Sequence, residues 1–508
     1  MRSIVSGCLL VPMFLLVFAP VNAQFLQEFD HMELSLFSTA SAEQNQSFWL
    51  TRNRWGMFEE SSANGLMRFS ANTGLDRSGR FDWGAGISVI GRASSHSSIY
   101  FQEAWIEANI LGGIHLQAGR FRKTDGHLNT SLSSGSMGFS PNATPMPRIL
   151  AEAPEFIEVP MTRGWLEFKG HYGHGWLNDT RSVQGAMLHD KSFYLQTGGN
   201  TGVKLFAGLV HYVKWGGVSE FEGRVPQSFR DYLKVVVGHE GGELAPEGER
   251  MNALGDHLGF WDWGITFSTA GREFYLYYQH FFETNSGLVY RNLRDGLYGF
   301  EVENVSRSGR VGNFVYEFIY TKHQTGPGLT DPNPGDSPPF CEEINCGYRF
   351  NGRDDYYNNY LYRTGWTYHM NVIGNPLFLT ERQLNFLDPE IETYNNRRLI
   401  VSNRFLAHHI GLDGYLGGRV SWRTLLTYIR HYGTYKGLNF GESWGSKNPE
   451  NNPEDYFFNP PQHQWYGMVE LEYRPSFREN LSFQIALAFD RGDLFRNAGI
   501  MTGVSWIW

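Results

Sequence analysis

The chain ends with GIMTGVSWIW (499–508), and this stretch is the strongest indication of the fold. Its apolar residues fall on every second position as far as Trp506 and Trp508, which is the period of a β-strand with one apolar face. In a soluble protein, an exposed Trp-Ile-Trp end would promote aggregation. Outer-membrane β-barrels characteristically finish on such a strand, whose terminal aromatic residue is read by the insertion machinery. We therefore predict that Trp506 and Trp508 form a C-terminal membrane-insertion signal.

The same alternation recurs along the chain. In WYGMVELEYRP (465–475), apolar residues alternate with Glu470, Glu472 and Arg474, and the stretches 418–429 and 101–110 follow the same pattern. A soluble β-sandwich would also alternate. However, the polar side is charged on many strands and aromatic residues lie near strand ends, as in a barrel with a polar lumen and a lipid-facing exterior. The sequence thus predicts an all-β, antiparallel transmembrane barrel.

Composition agrees with this fold and excludes several others. The 508 residues contain 15 Trp, 26 Tyr, 38 Phe and 58 Gly, yet only 41% are hydrophobic and the mean hydropathy is −0.38. That hydropathy excludes a protein built from many membrane-spanning helices, and the aromatic content excludes a disordered chain. A net charge of −9 gives no electrostatic reason to expect a nucleic-acid partner.

The N-terminus has the pattern of an export signal. Residues 1–23 contain Arg2, an apolar run over 8–18 and a small-residue cleavage site before Gln24. We predict that segment 24–46 is periplasmic and holds a short amphipathic helix, and that the barrel occupies 47–508.

Strand boundaries follow from the alternation and the turn residues. We predict eighteen strands, an even number as expected for a bacterial barrel, near 47–58, 66–75, 81–93, 98–110, 113–122, 161–171, 191–197, 203–214, 230–238, 258–269, 272–283, 295–304, 313–323, 398–409, 417–431, 464–474, 480–490 and 499–508. If the last strand descends to the periplasm, most long connections lie outside the cell. The segments 172–190 and 215–229 conflict with this rule because they are long for periplasmic turns.

Cysteine and histidine usage gives one structural prediction and no catalytic one. Removal of the signal leaves Cys341 and Cys346, which we predict to form a disulfide that closes a short loop. His171 and His174 are spaced i, i+3, but flanking glycines indicate strand and turn, so we predict no metal site. We find no catalytic motif and expect no cofactor.

One aromatic cluster has the composition of a sugar-binding surface. Tyr and Trp rings stack on the apolar faces of sugar rings, while Asp, Asn and Arg hydrogen-bond the hydroxyl groups. The alternative is an aromatic girdle together with an extracellular loop that packs on itself. The candidate polysaccharide-binding residues are Arg353, Asp354, Asp355, Tyr356, Tyr357, Asn358, Asn359, Trp366 and Tyr368.

The stretch GRDDYYNNYLYRTGWTYHMNVIGNPLF (352–378) resembles the most specific part of the Wzi-type capsule assembly proteins. Where that family often has Gly after the Tyr-His pair, this chain has Met370. Other resembling segments are FWLTRNRWG (48–56), FKGHYGHGWLND (168–179), LHDKSFYL (188–195), GLVHYVKWGG (208–217) and YYQHFFE (277–283). The resemblance implies an eighteen-stranded outer-membrane barrel with a small periplasmic helical element. It also implies a lectin that holds capsular polysaccharide on the surface of Gram-negative cells.

We therefore expect a non-enzymatic barrel that binds capsular or other extracellular polysaccharide and attaches the capsule. Its other expected partners are outer-membrane lipid and the insertion machinery. The main alternative is a porin or substrate channel of similar strand number, which an open lumen would favour. A barrel hydrolase is a second alternative.

Overall fold

The computed structural model describes residues 29–75, 81–110, 113–126, 128–199, 201–251, 253–304, 309–324, 329–330, 349–350, 354–384, 398–434, 458 and 460–508. The predicted export signal (1–23), both cysteines of the predicted disulfide and Arg353 lie outside these residues. The signal and the disulfide therefore stay predictions.

Eighteen antiparallel strands form the wall of a closed barrel. Each strand pairs with the next along the chain, and the first also pairs with the last. The predicted eighteen-stranded barrel is thus confirmed. The strands are β1 (His31–Asn45), β2 (Ser61–Asn72), β3 (Phe81–Ala93), β4 (Ser98–Ile110), β5 (Ile114–Arg120), β6 (Pro147–Glu158), β7 (Leu166–Trp176), β8 (Met187–Thr197), β9 (Val203–Trp215), β10 (Asp256–Thr269), β11 (Arg272–Phe282), β12 (Gly296–Asn304), β13 (Phe314–Tyr320), β14 (Phe405–Leu416), β15 (Val420–His431), β16 (Gln462–Tyr473), β17 (Leu481–Gly492) and β18 (Arg496–Ile507).

Helices and short strand pairs lie in the connections. The helices are α1 (Phe48–Thr51), α2 (Phe229–Val237), α3 (Glu247–Met251) and α4 (Asn285–Leu288), with a 3₁₀ turn at Glu381–Leu384. The short strands are Val183–Gln184, Val218–Ser219, Gly223–Arg224, Leu329–Thr330, Arg349–Phe350, Thr367–Tyr368, Asn371–Val372, Leu379–Thr380 and Ile400–Ser402. No helix among the described residues has the length and apolarity needed to cross a membrane.

Three predicted elements were wrong and one strand was missed outright, although the strand number was right. The expected helix in segment 24–46 is instead strand β1 from His31 onward, so the barrel begins before residue 47. The predicted strand 47–58 contains α1, and the predicted strand 230–238 is α2. Strand β6 was not predicted at all. Two strands were missed and two were wrongly assigned, so the total remained eighteen.

The two ends of the barrel differ in the length of their connections. One end, which we call the loop end, carries the long connections 46–60, 121–146, 177–186, 216–255, 283–295, 321–404 and 432–461, together with the short ones 94–97 and 493–495. The other end, the turn end, carries short connections and the end of β18. The segments 172–190 and 215–229, which conflicted with the predicted sidedness, correspond to loop-end connections once β6 is added. Their misfit was a consequence of the missed strand β6 before them and of the wrongly assigned strand 230–238 after them.

Side chains alternate between the two faces of the wall. On β17, Phe483, Ile485 and Leu487 are exposed on the outer face, whereas Ala486 and Ala488 are buried on the inner one. This is the expected pattern for lipid outside and packed protein inside.

The barrel closes near the two terminal tryptophans. The backbone of Met32 exchanges two hydrogen bonds with Trp508, of 3.1 and 3.0 Å, and so extends the β1–β18 ladder to the last residue. The rings of Trp506 and Trp508 remain partly exposed at the turn end. Their role as an insertion signal stays a prediction.

Candidate binding groove at the loop end

Three loop-end segments turn inward and occupy the lumen, and together we call them the plug: 46–60, 121–146 and 354–384. They contact the wall at several places around its circumference. Backbone and side chain of Ser134 both donate to Glu317 on β13, whereas the Phe48 amide donates to Asp490 on β17 at 3.1 Å. Lys214 on β9 donates to the Gly365 carbonyl at 2.8 Å. Wall and plug thus share one hydrophobic core.

The predicted sugar-stacking aromatics lie inside this plug. Tyr356, Tyr357, Trp366 and Tyr368 are almost completely buried. The Tyr357 hydroxyl donates to the Met137 carbonyl at 2.5 Å, and its ring lies 4.0 Å from that of Phe378. A ring without exposed area offers no face to a sugar. The geometry therefore favours the alternative of a loop packed on itself, and these rings hold the plug together.

The predicted polar residues of the same cluster also have internal partners. Asp355 pairs with Arg398 at 2.6 Å, and Asp354 accepts a hydrogen bond from Thr284 at 3.2 Å. The remaining partners are the Ile400 carbonyl for Asn358 and the Asp256 carboxylate for Asn359, both at 2.9 Å. Burial explains why these polar groups need such partners, since an unsatisfied buried group is costly. None of the predicted residues that the structure describes is mainly exposed.

Burial also changes the acidity of groups beside the plug. Desolvation raises the pKa of Asp295 to about 7, although hydrogen bonds from Tyr356, Gln324 and His323 act in the opposite direction. Burial likewise raises the pKa of Glu249 to about 7. The phenol pKa of Tyr356 is raised well above its usual value by burial and by the nearby Asp295 carboxylate.

A polar groove lies between the plug and the loop-end rim of the wall. It consists of two hollows of about 310 and 330 Å³ that meet at Glu60. We call them hollow A, beside β1, β17 and β18, and hollow B, beside β3, β4 and β5. Exposed Arg496 and His369 lie at their respective rims. The groove is therefore open at the end of the barrel that carries the long connections.

Hollow A is rich in amides. Five amide side chains line it together with the half-buried ring of Phe495 and the carboxylate of Asp490. Amides both donate and accept, which suits ligands with many hydroxyl groups. The five are Gln44, Asn45, Gln46, Gln383 and Asn497.

Hollow B is rich in arginine. Arg92 pairs with Glu59 at 2.8 Å, and Arg382 lies 3.8 Å from Glu60. Arg120 instead donates to neutral oxygens, the Phe101 carbonyl at 3.1 Å and the Tyr368 hydroxyl at 3.4 Å. Three arginines thus face two glutamates in hollow B. This leaves an excess of positive charge.

Two further features concern the polar groups around hollow B. The half-buried Tyr100 hydroxyl and the Nε of Arg92 have no hydrogen-bond partner among the described residues. Burial would raise the pKa of Glu59, but hydrogen bonds from Ser94 and Ser95 and the charge of Arg92 produce a net lowering, so Glu59 is ionised. Glu59 therefore offers ligand hydroxyl groups a charged acceptor, whereas the Tyr100 hydroxyl and the Nε of Arg92 are covered by protein atoms.

Arg52 connects the two hollows. It forms an ion pair with Glu60 and donates to the Asn371 side chain at 3.3 Å. Burial, and then repulsion from Arg382, lower its pKa from 12.5 to about 10, at which it still carries a positive charge at neutral pH.

The turn between Thr367–Tyr368 and Asn371–Val372 forms part of the rim of hollow B. His369 and Met370 both have positive φ, 45° and 67°. Gly, which the resemblance would place at position 370, adopts such a backbone conformation without strain. The described part of the resembling stretch, 354–378, therefore contributes a shaped turn to the groove rather than a row of stacking rings.

The sequence patterns did not point to the groove arginines. Arg52 lies in FWLTRNRWG, where a charged residue within an apolar run could have indicated an inward-folding segment. Arg92, Arg120 and Arg382 carry no local signal, because they come from separate strands and from the plug.

A closed eighteen-stranded barrel with an apolar exterior and an occupied lumen is an outer-membrane β-barrel protein. The family model of the capsule assembly protein Wzi matches residues 37–335, more than half of the chain. The chain belongs to this Wzi family, and it is an outer-membrane protein with a role in capsule assembly.

A solved structure shows the same fold. The Escherichia coli outer-membrane protein Wzi, described as a carbohydrate-binding β-barrel involved in group 1 capsule assembly, has a TM-score of 0.56 and 14% identity, covering 95% of this chain and 86% of its own. Pseudomonas aeruginosa OccK5 (OpdH) has a TM-score of 0.44 and 11% identity, covering 94% of this chain and 96% of its own. A search of curated proteins gives no match.

Proposed function

We propose that the protein binds capsular or other extracellular polysaccharide in the loop-end groove and thereby attaches the capsule to the cell surface. The observation that carries this proposal is the groove itself: amides, arginines and half-buried aromatic rings meet at one open end of the barrel. Binding sites with a few convergent polar groups and aromatic walls suit sugars. The protein acts by binding and catalyses no step of polymer synthesis.

Hollow B suits an acidic sugar. A carboxylate on the polymer would compensate the excess positive charge, and Arg120 is the arginine best able to receive it because its present partners are neutral. A charge-assisted hydrogen bond from Arg to a carboxylate is stronger than one between neutral groups. We therefore propose that the ligand is a polysaccharide with carboxylate groups.

The alternative of a diffusion channel receives no support from the lumen. The plug crosses it between opposite walls, and its hydrogen bonds to Glu317, Asp490 and Lys214 fix it on several strands. We expect purified protein in planar bilayers to show little conductance. Stable porin-like currents would favour the channel instead.

The binding test uses purified barrel and the capsular polysaccharide of its own strain, native or with its carboxyl groups reduced. Arg120→Gln should weaken binding of the native polymer about tenfold or more, since a hydrogen bond to a charged group is worth about 1.5–3 kcal/mol. The matched control is Arg419→Gln, an exposed arginine at the turn end, which should have no effect. Reduction of the polymer should remove the difference between wild type and Arg120→Gln.

The results can separate the two parts of the proposal. If no variant and no reduction alters binding, the groove is not the site. If wild type binds native and reduced polymer equally but Arg120→Gln still weakens binding, the groove is the site and the proposal of an acidic ligand is wrong.

In cells, deletion of the gene should leave polymer export intact and shift capsule into the medium. Capsule that stays on the deleted strain would contradict the attachment role.

A further inference from the structure

The connection 216–255 covers the outside of the barrel wall. On β9, odd-numbered residues face outward: Leu205 is half exposed there, whereas even-numbered Lys214 reaches the plug. Val213 and Trp215 share the outward face but are buried. They form a small core with Val235, Ala245 and Leu254 from the connection. The connection 216–255 therefore covers the outer face of the wall near the loop end.

Helix α2 is the regular element of this cladding, and its sequence fixes both of its ends. Ser228 and Asp231 form a capping box at the N-terminus. Gly238 ends the helix in the left-handed conformation, with φ of 66°. Both ends of α2 are therefore specified by the local sequence.

One face of α2 is attached to the wall. The Tyr232 hydroxyl lies 2.7 Å from that of Tyr172 on β7, and its ring lies 5.3 Å from Trp215. Lys191 on β8 donates to the Val236 carbonyl, and Val235 is completely buried. These contacts to three strands fix the rotation of the helix about its axis.

The opposite face is apolar and exposed. Phe229, Leu233 and Val237 are 76, 51 and 74% exposed and follow a spacing of four, which places them along one stripe. Arg230 and Lys234 lie beside this stripe. An apolar stripe flanked by basic residues is the pattern of a helix that lies in a membrane interface.

The stripe continues the lipid-facing surface of the barrel. Further down the same wall, Phe193, Leu205 and Trp263 are exposed on the outer face. An apolar hollow of about 900 Å³ opens on this wall, with Leu205, Ala207 and Trp263 in its lining. A protein that already presents this wall to lipid presents the stripe of α2 to the same medium.

We infer that α2 lies in the loop-end interface of the membrane, with Phe229, Leu233 and Val237 inserted at the boundary between headgroups and acyl chains. Arg230 and Lys234 then face anionic headgroups. The inference is independent of the polysaccharide proposal, because it rests on the outer wall and not on the groove. On one side of the loop-end rim, the protein then contacts lipid through α2 as well as through the strands of the barrel.

The test uses spin labels in the complete barrel reconstituted into vesicles containing anionic lipid. Single cysteines replace Phe229, Leu233 and Val237 in a background with Cys341→Ser and Cys346→Ser. Leu276→Cys, on the exposed outer wall, is the lipid control, and Glu240→Cys, exposed just beyond the helix, is the aqueous control. A shift between unboiled and boiled protein on gels verifies that each variant forms the barrel.

Labels on the stripe should collide more with oxygen than with a water-soluble nickel chelate, as the label at Leu276 does, and the label at Glu240 should show the reverse. Equal or greater collision with the chelate at all three stripe positions would overturn the inference. Dipolar broadening that disappears on dilution with unlabelled protein would also overturn it, because the stripe would then bind a second copy of the chain.

Discussion

Trp366 donates a hydrogen bond from its indole Nε1 to the carbonyl oxygen of Gly138 at 3.0 Å, and this bond joins two segments of the plug. The Trp366 ring also lies 5.2 Å from Tyr212 on the wall. A side chain at Gly138 would overlap Tyr212, so glycine permits the close approach. One indole therefore couples both plug segments to β9.

Replacement of this indole should loosen the plug without opening the barrel. Trp366→Phe keeps an aromatic ring but leaves a buried carbonyl without its donor, at a cost of about 1–3 kcal/mol. We expect faster proteolysis of the plug and an unchanged gel shift of the unboiled barrel. Trp165→Phe, an exposed tryptophan at the turn end, is the control. Equal proteolysis of both variants and wild type would show that the bond contributes nothing.

The loop end should become less stable as the pH rises. Asp295 has its pKa raised from 3.8 to about 7 when folded, so the folded state favours the protonated acid. The contribution of Asp295 to the free energy of unfolding is complete below about pH 4 and is lost between pH 4 and pH 7. Thermal unfolding of the loop end can be monitored by its susceptibility to proteolysis at pH values from 4 to 8. The unfolding temperature should fall as the pH rises. Asp295→Asn should flatten the pH dependence, and an unchanged slope would refute the assignment.

The two cysteines should be linked. Mass spectrometry of the non-reduced protein should find Cys341 bonded to Cys346. Because the enclosed loop is short, Cys341→Ser should leave the thermal stability of the barrel nearly unchanged. Free thiols in freshly isolated outer-membrane protein would contradict this pairing.

The last residue should matter for assembly. Removal of Trp508 deletes the final pair of backbone hydrogen bonds to Met32 and the predicted insertion signal. We expect a lower yield of inserted barrel, measured as the fraction with shifted mobility in unboiled samples. Removal of one residue from the connection 432–461 is the control and should have little effect. Equal yields would place the signal elsewhere.

The sequence allowed the barrel to be predicted because alternation is a local property of each strand, but local rules also caused the errors. Strand β6 contains Pro147 and Pro154, which argue against a strand. The structure accommodates Pro154 where the register shifts between Ala153 and Ile157. In α2, three consecutive valines favour a strand, but the capping box and Gly238 determine a helix.

The candidate site was less predictable for a different physical reason. Aromatic rings with Asn and Asp can form a sugar surface or the interior of a packed polar plug, and composition is the same in both. Only burial distinguishes them, as the completely buried Tyr356 and Trp366 show. The groove arginines meet through barrel closure and plug folding, so no spacing along the chain could reveal them.

Hollow A is lined by residues from both ends of the folded chain: Gln44 belongs to the first strand and Asn497 to the last. The backbone amide of Glu43 donates to the Asn497 side chain at 3.2 Å across this seam. Half of the groove therefore does not exist until the first and last strands have met. Ligand affinity therefore reports that assembly is complete. A barrel whose first and last strands have not yet paired would lack one wall of hollow A.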